Sequence, residues 1–156
     1  MTFARRAAAG LTTIATAGLG LSLAAAGPAA AAETGSWHAY GNTNPITSSA
    51  STWHCAGSKA VTTSVVAQVC AIRAPGGGSV QGAVIVRNNR AGLYSLSAAM
   101  DLYSSSGTKL GIWTCASSGV AANSWSVCFG RTLPHGGAVD SVGRAGDVDL
   151  GESPLV

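Results

Sequence analysis

Residues 93–103, LYSLSAAMDLY, alternate with a period of two. Tyr94, Leu96, Ala98, Met100 and Leu102 fall on one face; Ser95, Ser97, Ala99, Asp101 and Tyr103, mostly polar, fall on the other. Successive side chains of a strand point to opposite faces, so this run predicts a strand with one side in a core and one in water. VQGAVIVRN at 80–88 has a different pattern, a nearly continuous apolar run rich in Val and Ile, and predicts a strand covered on both faces. VTTSVVAQVCAIR at 61–73 predicts another, stopped by Pro75 and the triplet Gly76, Gly77 and Gly78. Further strands are expected near 37–40, 50–56, 108–117 and 125–133, and 138–150 reads as one strand or a pair. Turn chemistry in NNRAG (88–92), SSSG (104–107) and SSGVAANS (117–124) separates them. Beyond residue 32 no helical periodicity occurs. The expected fold is all-β: a single antiparallel β-sandwich or small barrel of about seven or eight short strands.

The first 32 residues read otherwise. Arg5 and Arg6 precede an uncharged, Ala- and Gly-rich stretch at 7–26; Gly27 and Pro28 break it, and Ala30 and Ala32 supply the small residues of an A-x-A cleavage site. Residues 1–32 are therefore expected to be a secretory signal peptide cut after Ala32. A membrane anchor is the competing reading of this stretch, and the cleavage site that follows at once argues against it. The FARRAAAG context lacks the polar residue before the arginine pair and the bulky apolar residues after it that a twin-arginine signal would have, so the general secretory route is expected. No cysteine lies near the cut for lipidation, and LPHGG at 133–137 lacks the threonine of a wall-sorting signal. The expected organisation is a polar segment at 33–49 followed by a disulfide-stapled β domain at 50–156, released outside the cell as a monomer with no membrane association after cleavage.

The charge balance changes once the leader is removed. Seven cations (Lys59, Arg73, Arg87, Arg90, Lys109, Arg131, Arg144) face six anions (Glu33, Asp101, Asp140, Asp147, Asp149, Glu152), a net of plus one. Phosphate binding needs clustered Lys and Arg, so near neutrality argues against a nucleic-acid partner.

All four cysteines, Cys55, Cys70, Cys115 and Cys128, lie beyond the leader, and an even count in an exported chain predicts two disulfides. Four cysteines allow three pairings. An internal echo selects one: WHCAGS at 53–58 returns as WTCASS at 113–118, and VCAIR at 69–73 returns as VCFGR at 127–131. If these are two versions of one hairpin-like unit, each carries its own bridge, Cys55 with Cys70 and Cys115 with Cys128. Each bridge closes a loop worth about 3 kcal/mol in the chain-entropy model. Zinc is not expected, since gaps of 15, 45 and 13 residues contain no C-x-x-C pair. Trp53 and Trp113 each precede a cysteine by two residues, point the same way as it, and should pack on the bridges.

Catalytic motifs are lacking. There is no G-x-S-x-G elbow, and GGGSVQG matches neither dinucleotide nor phosphate-loop patterns. Asp147 and Asp149 could pair or bind calcium but read better as edge charges that discourage strand-to-strand association. His135, in the loop TLPHGG, is a candidate because loops carry sites. Trp37 and Tyr40, in the polar SWHAYGNTN, together with Trp125, are candidates for exposed aromatics able to stack on a sugar ring. The candidate ligand-binding set is thus Trp37, Tyr40, Trp125 and His135, with no catalytic residue, cofactor or metal implied.

The Ala-rich export signal, the bridged pairs and VCFGRT at 127–132 resemble small exported actinobacterial proteins, most without an assigned activity. The resemblance implies an extracellular β-sandwich and transfers no functional residue. Small inhibitors of subtilisin-like proteases also carry two disulfides in a similar length, with a different cysteine spacing. The leading expectation is a secreted, non-enzymatic module that binds an extracellular protein or polysaccharide. The alternatives are a protease inhibitor or antimicrobial protein, and a small hydrolase built from His135, Asp101 or Asp140 and a serine.

Overall fold

The computed structural model describes residues 31–156, so most of the expected signal segment, Ala30 included, lies outside the described residues. Ala32 immediately precedes the first of twelve strands, β1 (Glu33–Thr34). The others are β2 (Ser36–Gly41), β3 (Thr52–Cys55), β4 (Lys59–Thr62), β5 (Val65–Arg73), β6 (Ser79–Asn88), β7 (Tyr94–Ser104), β8 (Lys109–Val120), β9 (Ser124–Phe129), β10 (Leu133–Pro134), β11 (Val139–Ala145) and β12 (Val148–Glu152). The run 61–73 holds two elements rather than one, since the chain turns at 63–64 between β4 and β5. The run 138–150 is a hairpin, its turn made possible by Gly146 at φ 56°, a left-handed conformation that glycine adopts without steric penalty.

These strands form a sandwich. One sheet has the order β1-β8-β7-β11-β12; the other has β2-β9-β6-β5-β3, with β4 added to β5 and β10 to β6. All pairings are antiparallel except β1 on β8. The segment 33–49 is not separate from the β body, because β1 and β2 contribute a strand to each sheet.

The main core lies between the sheets. Leu96, Ala98, Met100 and Leu102 of β7 meet Val65, Ala67, Val69 and Ala71 of β5 and Val80, Val84 and Val86 of β6. A second cluster, Cys70, Ile72, Ala83, Ile85 and Val127, lies on the outer face of the seven-stranded sheet. Topology requires it: β2 and β3 are at opposite edges of that sheet, so the connection 42–51 crosses its outer face and lays Ile46 on the cluster. Asn44 folds this connection, its carboxamide oxygen accepting the N–H of Ile46 at 2.9 Å and its carbonyl the N–H of Ser48 at 3.2 Å. The continuous apolar run 80–88 is explained by this cover, since β6 is buried on both sides.

Both disulfides form as the echo implies, Cys55–Cys70 and Cys115–Cys128. The two units are not alike. Cys55 and Cys70 are register partners on β3 and β5, and the bridge lies on the outer face beside Trp53, whose ring meets Phe129 edge to face at 6.0 Å. β8 and β9 belong to different sheets, so Cys115–Cys128 spans the sandwich through the main core. The expectation of two bridged strand pairs is corrected for the second unit: consecutive strands need not pair. Trp113 is 1% exposed, points inward with Cys115, and donates its indole N–H to Glu33 at 3.3 Å. A Cβ at Gly130 would lie 2.5 Å from its ring, so only glycine lets the indole lie flat there.

Each side of the sandwich is closed differently. Trp37 of β2 packs on the main core and donates its indole N–H to the carbonyl of Ala116 on β8 at 2.8 Å. Opposite, the tail 153–156 pairs with β11, Val156 N–H donating to Val139 at 2.9 Å, and reaches β3 through a contact between Leu155 and the His54 ring. Arg73 gathers this corner, donating to the carbonyls of Gly77, His135, Gly137 and Val156.

Candidate functional site

The four ligand-binding candidates separate. Trp37, expected to be exposed, is half-buried and faces the interior, because β2 at the sheet edge needs a large apolar side chain to close the gap to β8. His135 sits beyond β10, which pairs with the first two residues of β6; its N–H bonds Gly78 at 3.1 Å and its carbonyl accepts from Arg73 at 3.2 Å. Tyr40 and Trp125 come together: β2 and β9 are neighbours, Gly41 pairs with Trp125, and both rings lie half-buried on the outer face of the seven-stranded sheet. A bulge between Ala39 and Gly41 locally re-aims this end of β2.

Arg87, which sequence reasoning did not single out, completes the group. It pairs with Trp125 across β6 and β9, and its guanidinium carbon lies 5.3 Å from the indole centroid. Its Nε donates to Asn89 Oδ1 at 2.8 Å, and its Nη1 donates to Asn42 Oδ1 and to the Asn123 carbonyl, each at 2.9 Å. Asn123 takes φ 50°, a conformation asparagine tolerates better than most residues, and its N–H donates to the Arg90 carbonyl at 3.1 Å. The Tyr40 ring meets His38 edge to face at 4.9 Å, and burial raises its phenol above the ordinary value of 10.0. The signal that could have found Arg87 was the parity of β6: in a run buried on both faces, a charged residue at the strand end marks where the cover stops.

The result is a platform of two aromatic rings and a stacked guanidinium, edged by the carboxamides of Asn42 and Asn89. An aromatic face stacks on the apolar hydrogens of a sugar ring, while amide and guanidinium groups hydrogen-bond its hydroxyls; a few fixed polar groups around an apolar surface are what small-ligand recognition requires.

The opposite surface differs. The outer face of the five-stranded sheet bears a shallow groove of about 660 Å³ lined by Asp101, Arg144, Asp149 and Glu152 among others. Lys109 pairs with Asp101 at 2.7 Å, and the Tyr103 hydroxyl donates to Asp101 at 3.1 Å. Asp149 lies on the edge strand β12, where its carboxylate accepts the Gly151 N–H at 2.8 Å, while Asp147 occupies the preceding turn. Among the described residues no group of three His, Cys, Asp or Glu side chains is placed to hold a metal ion. No hydrogen bond joins His135 to Asp101 or Asp140 among the described residues, and both acids sit on the five-stranded sheet. Burial first, and then the neighbouring Glu152, raise the Asp140 carboxyl above its ordinary 3.8. The folded state therefore holds this proton longer than the unfolded chain; the contribution is present below the unfolded value and lost as pH rises through the folded one. Asp140→Asn is expected to gain stability relative to the parent as pH increases from about 3.8 towards neutrality. Melting temperatures across that range that differ by a constant would contradict it.

No protein-family model matches the chain and no curated protein matches it in sequence, so the chemistry of the platform is read from its own residues.

Proposed function

We propose that the protein is a secreted, non-enzymatic binding module that holds an extracellular saccharide on the platform formed by Tyr40, Trp125 and Arg87. The observation that carries this reading is the convergence of two half-buried rings and a braced guanidinium from three adjacent strands, on the outer face of a sheet. The leader-like residues 1–32 support the secreted part of this reading, as do two disulfides, which persist in oxidising compartments.

The test is affinity electrophoresis and calorimetry of the oxidised protein, residues 33–156, against neutral and charged soluble polysaccharides. Trp125→Ala is expected to weaken binding by about tenfold or more, as removal of a stacking anchor does. Circular dichroism of the variant should be unchanged, because Trp125 is half-exposed at the edge of the outer cluster. Undiminished affinity in Trp125→Ala, or no binding to any polymer, would remove the reading.

A further inference from the structure

We infer that the saccharide is anionic and that Arg87 reads its charge, an inference that rests on the platform being the binding surface. A guanidinium has five N–H donors. Arg87 uses three on Asn42, Asn89 and Asn123, all neutral acceptors, and both N–H groups of Nη2 have no protein acceptor among the described residues. The two ion pairs among the described residues, Lys109–Asp101 and Arg131–Glu33, lie elsewhere, so the cation of Arg87 is positioned but not neutralised. A surface arginine kept only for solubility retains its mobility. This one is held by three hydrogen bonds and an indole face, which removes in advance much of the ordering entropy a ligand would otherwise have to supply.

The distribution of charge over the molecule points the same way. All six acids of residues 31–156 lie on the strands of the five-stranded sheet or in its β11–β12 turn. The strands of the seven-stranded sheet carry Lys59, Arg73 and Arg87 and no acid. Arg90, whose backbone carbonyl accepts the Asn123 N–H, turns its own guanidinium to the Tyr94 ring of β7 at 5.4 Å, which leaves Arg87 as the cation of the platform. An anionic ligand therefore meets Arg87 with no acid on the strands of its sheet, whereas the strands of the other sheet carry Glu33, Asp101, Asp140, Asp149 and Glu152. Two rings with a single cation beside them suit one charged sugar residue and not the run of phosphate contacts that nucleic acid requires. A carboxylate, a sulfate or a phosphate on the sugar would each supply the oxygen that Nη2 needs.

Calorimetry at low salt with polygalacturonate, its fully methyl-esterified form, a phosphorylated glucan as phosphate polymer and a single-stranded oligonucleotide tests the inference. The acidic polysaccharide is expected to bind about tenfold or more tighter than the ester. Arg87→Gln should abolish that difference, lowering affinity for the acidic polymer by about tenfold or more and for the ester by clearly less. Arg87→Lys should recover part of it, and Lys59→Gln, on the same sheet, should not matter. Binding of the phosphate polymer alone, with the same dependence on Arg87, would also support the inference and identify phosphate as the charge. Equal affinity for acid and ester, both lost in Trp125→Ala, would overturn the inference and leave the platform standing as a neutral-sugar site. Equal losses in Lys59→Gln and Arg87→Gln, or preference for the oligonucleotide, would overturn it as generic electrostatics. Absence of binding by every polymer would remove both readings.

Discussion

Replacing Asn88 by leucine is expected to lower the unfolding free energy by about 3–4 kcal/mol, among the larger effects a single polar residue produces. Asn88 ends β6 and is fully buried. Its amide nitrogen donates to the carbonyls of Gly92, Val120 and Ala121 at 2.9, 2.9 and 3.0 Å, and its oxygen accepts the Arg90 N–H at 2.9 Å. Two loops and both sheets are thereby tied to one side chain, since β6 belongs to one sheet and Val120 ends β8 in the other. Leucine fills the volume but leaves the buried Val120 carbonyl and the part-buried carbonyls of Gly92 and Ala121 without their donor, and a stranded buried group costs about 1–3 kcal/mol. Asn88→Asp separates shape from hydrogen bonding: at neutral pH its carboxylate would face three carbonyls. Its stability should therefore rise as pH falls and the acid regains a proton to donate. The loop that Asn88 orders also carries Asn89, one of the acceptors bracing Arg87, so ligand affinity should drop in both variants. Denaturant unfolding checks the first claim; a loss under about 1 kcal/mol for leucine would show that the network is not the tie described.

The second large effect is expected from Cys115→Ala with Cys128→Ala, about 3 kcal/mol or more. Loop entropy alone gives about 3 kcal/mol for this bridge and for Cys55–Cys70, whose loops are nearly the same length. What differs is the folded state. Without Cys55–Cys70, β3 keeps its backbone pairing to β5 through four register pairs. Without Cys115–Cys128, no covalent link at this point joins β8 to β9 across the interior, and alanines leave a void beside Trp113 and Gly35, where the sulfur of Cys115 would lie 2.9 Å from an added Cβ. The cavity adds to the entropic loss. Equilibrium unfolding of the two double variants should rank the inter-sheet bridge as the more stabilising. A larger loss on removing Cys55–Cys70 would contradict the ranking.

Much of this architecture was legible beforehand. The period of two in β7 placed Leu96, Ala98, Met100 and Leu102 in the core, and the echo around the cysteines selected the correct pairing from three. The unbroken apolar run of β6 implied cover on both faces, although nothing in the run itself said that residues 42–51 would provide it. The candidate site was only half legible. Tyr40 and Trp125 could be singled out as aromatics in polar surroundings, but Trp37 has the same kind of neighbours and faces inward, because which way an edge strand's residues point depends on what the edge abuts. Arg87 was missed since its meaning lies in Trp125, Asn42 and Asn123, which are 36 to 45 residues away in sequence.

The sequence by itself determined where the principal strands run, that they assemble into an all-β body, and which cysteines join. Each of these follows from local periodicity, turn chemistry and internal repetition, which a linear string records. Only the tertiary structure decided that β8 and β9 lie in different sheets, that one bridge crosses the core while the other lies outside it, and that the acids collect on one sheet and its turn while Arg87 is braced by neutral partners beside Trp125 on the other. Those facts belong to long-range pairing, in which a strand's neighbours are chosen by burial across the whole chain.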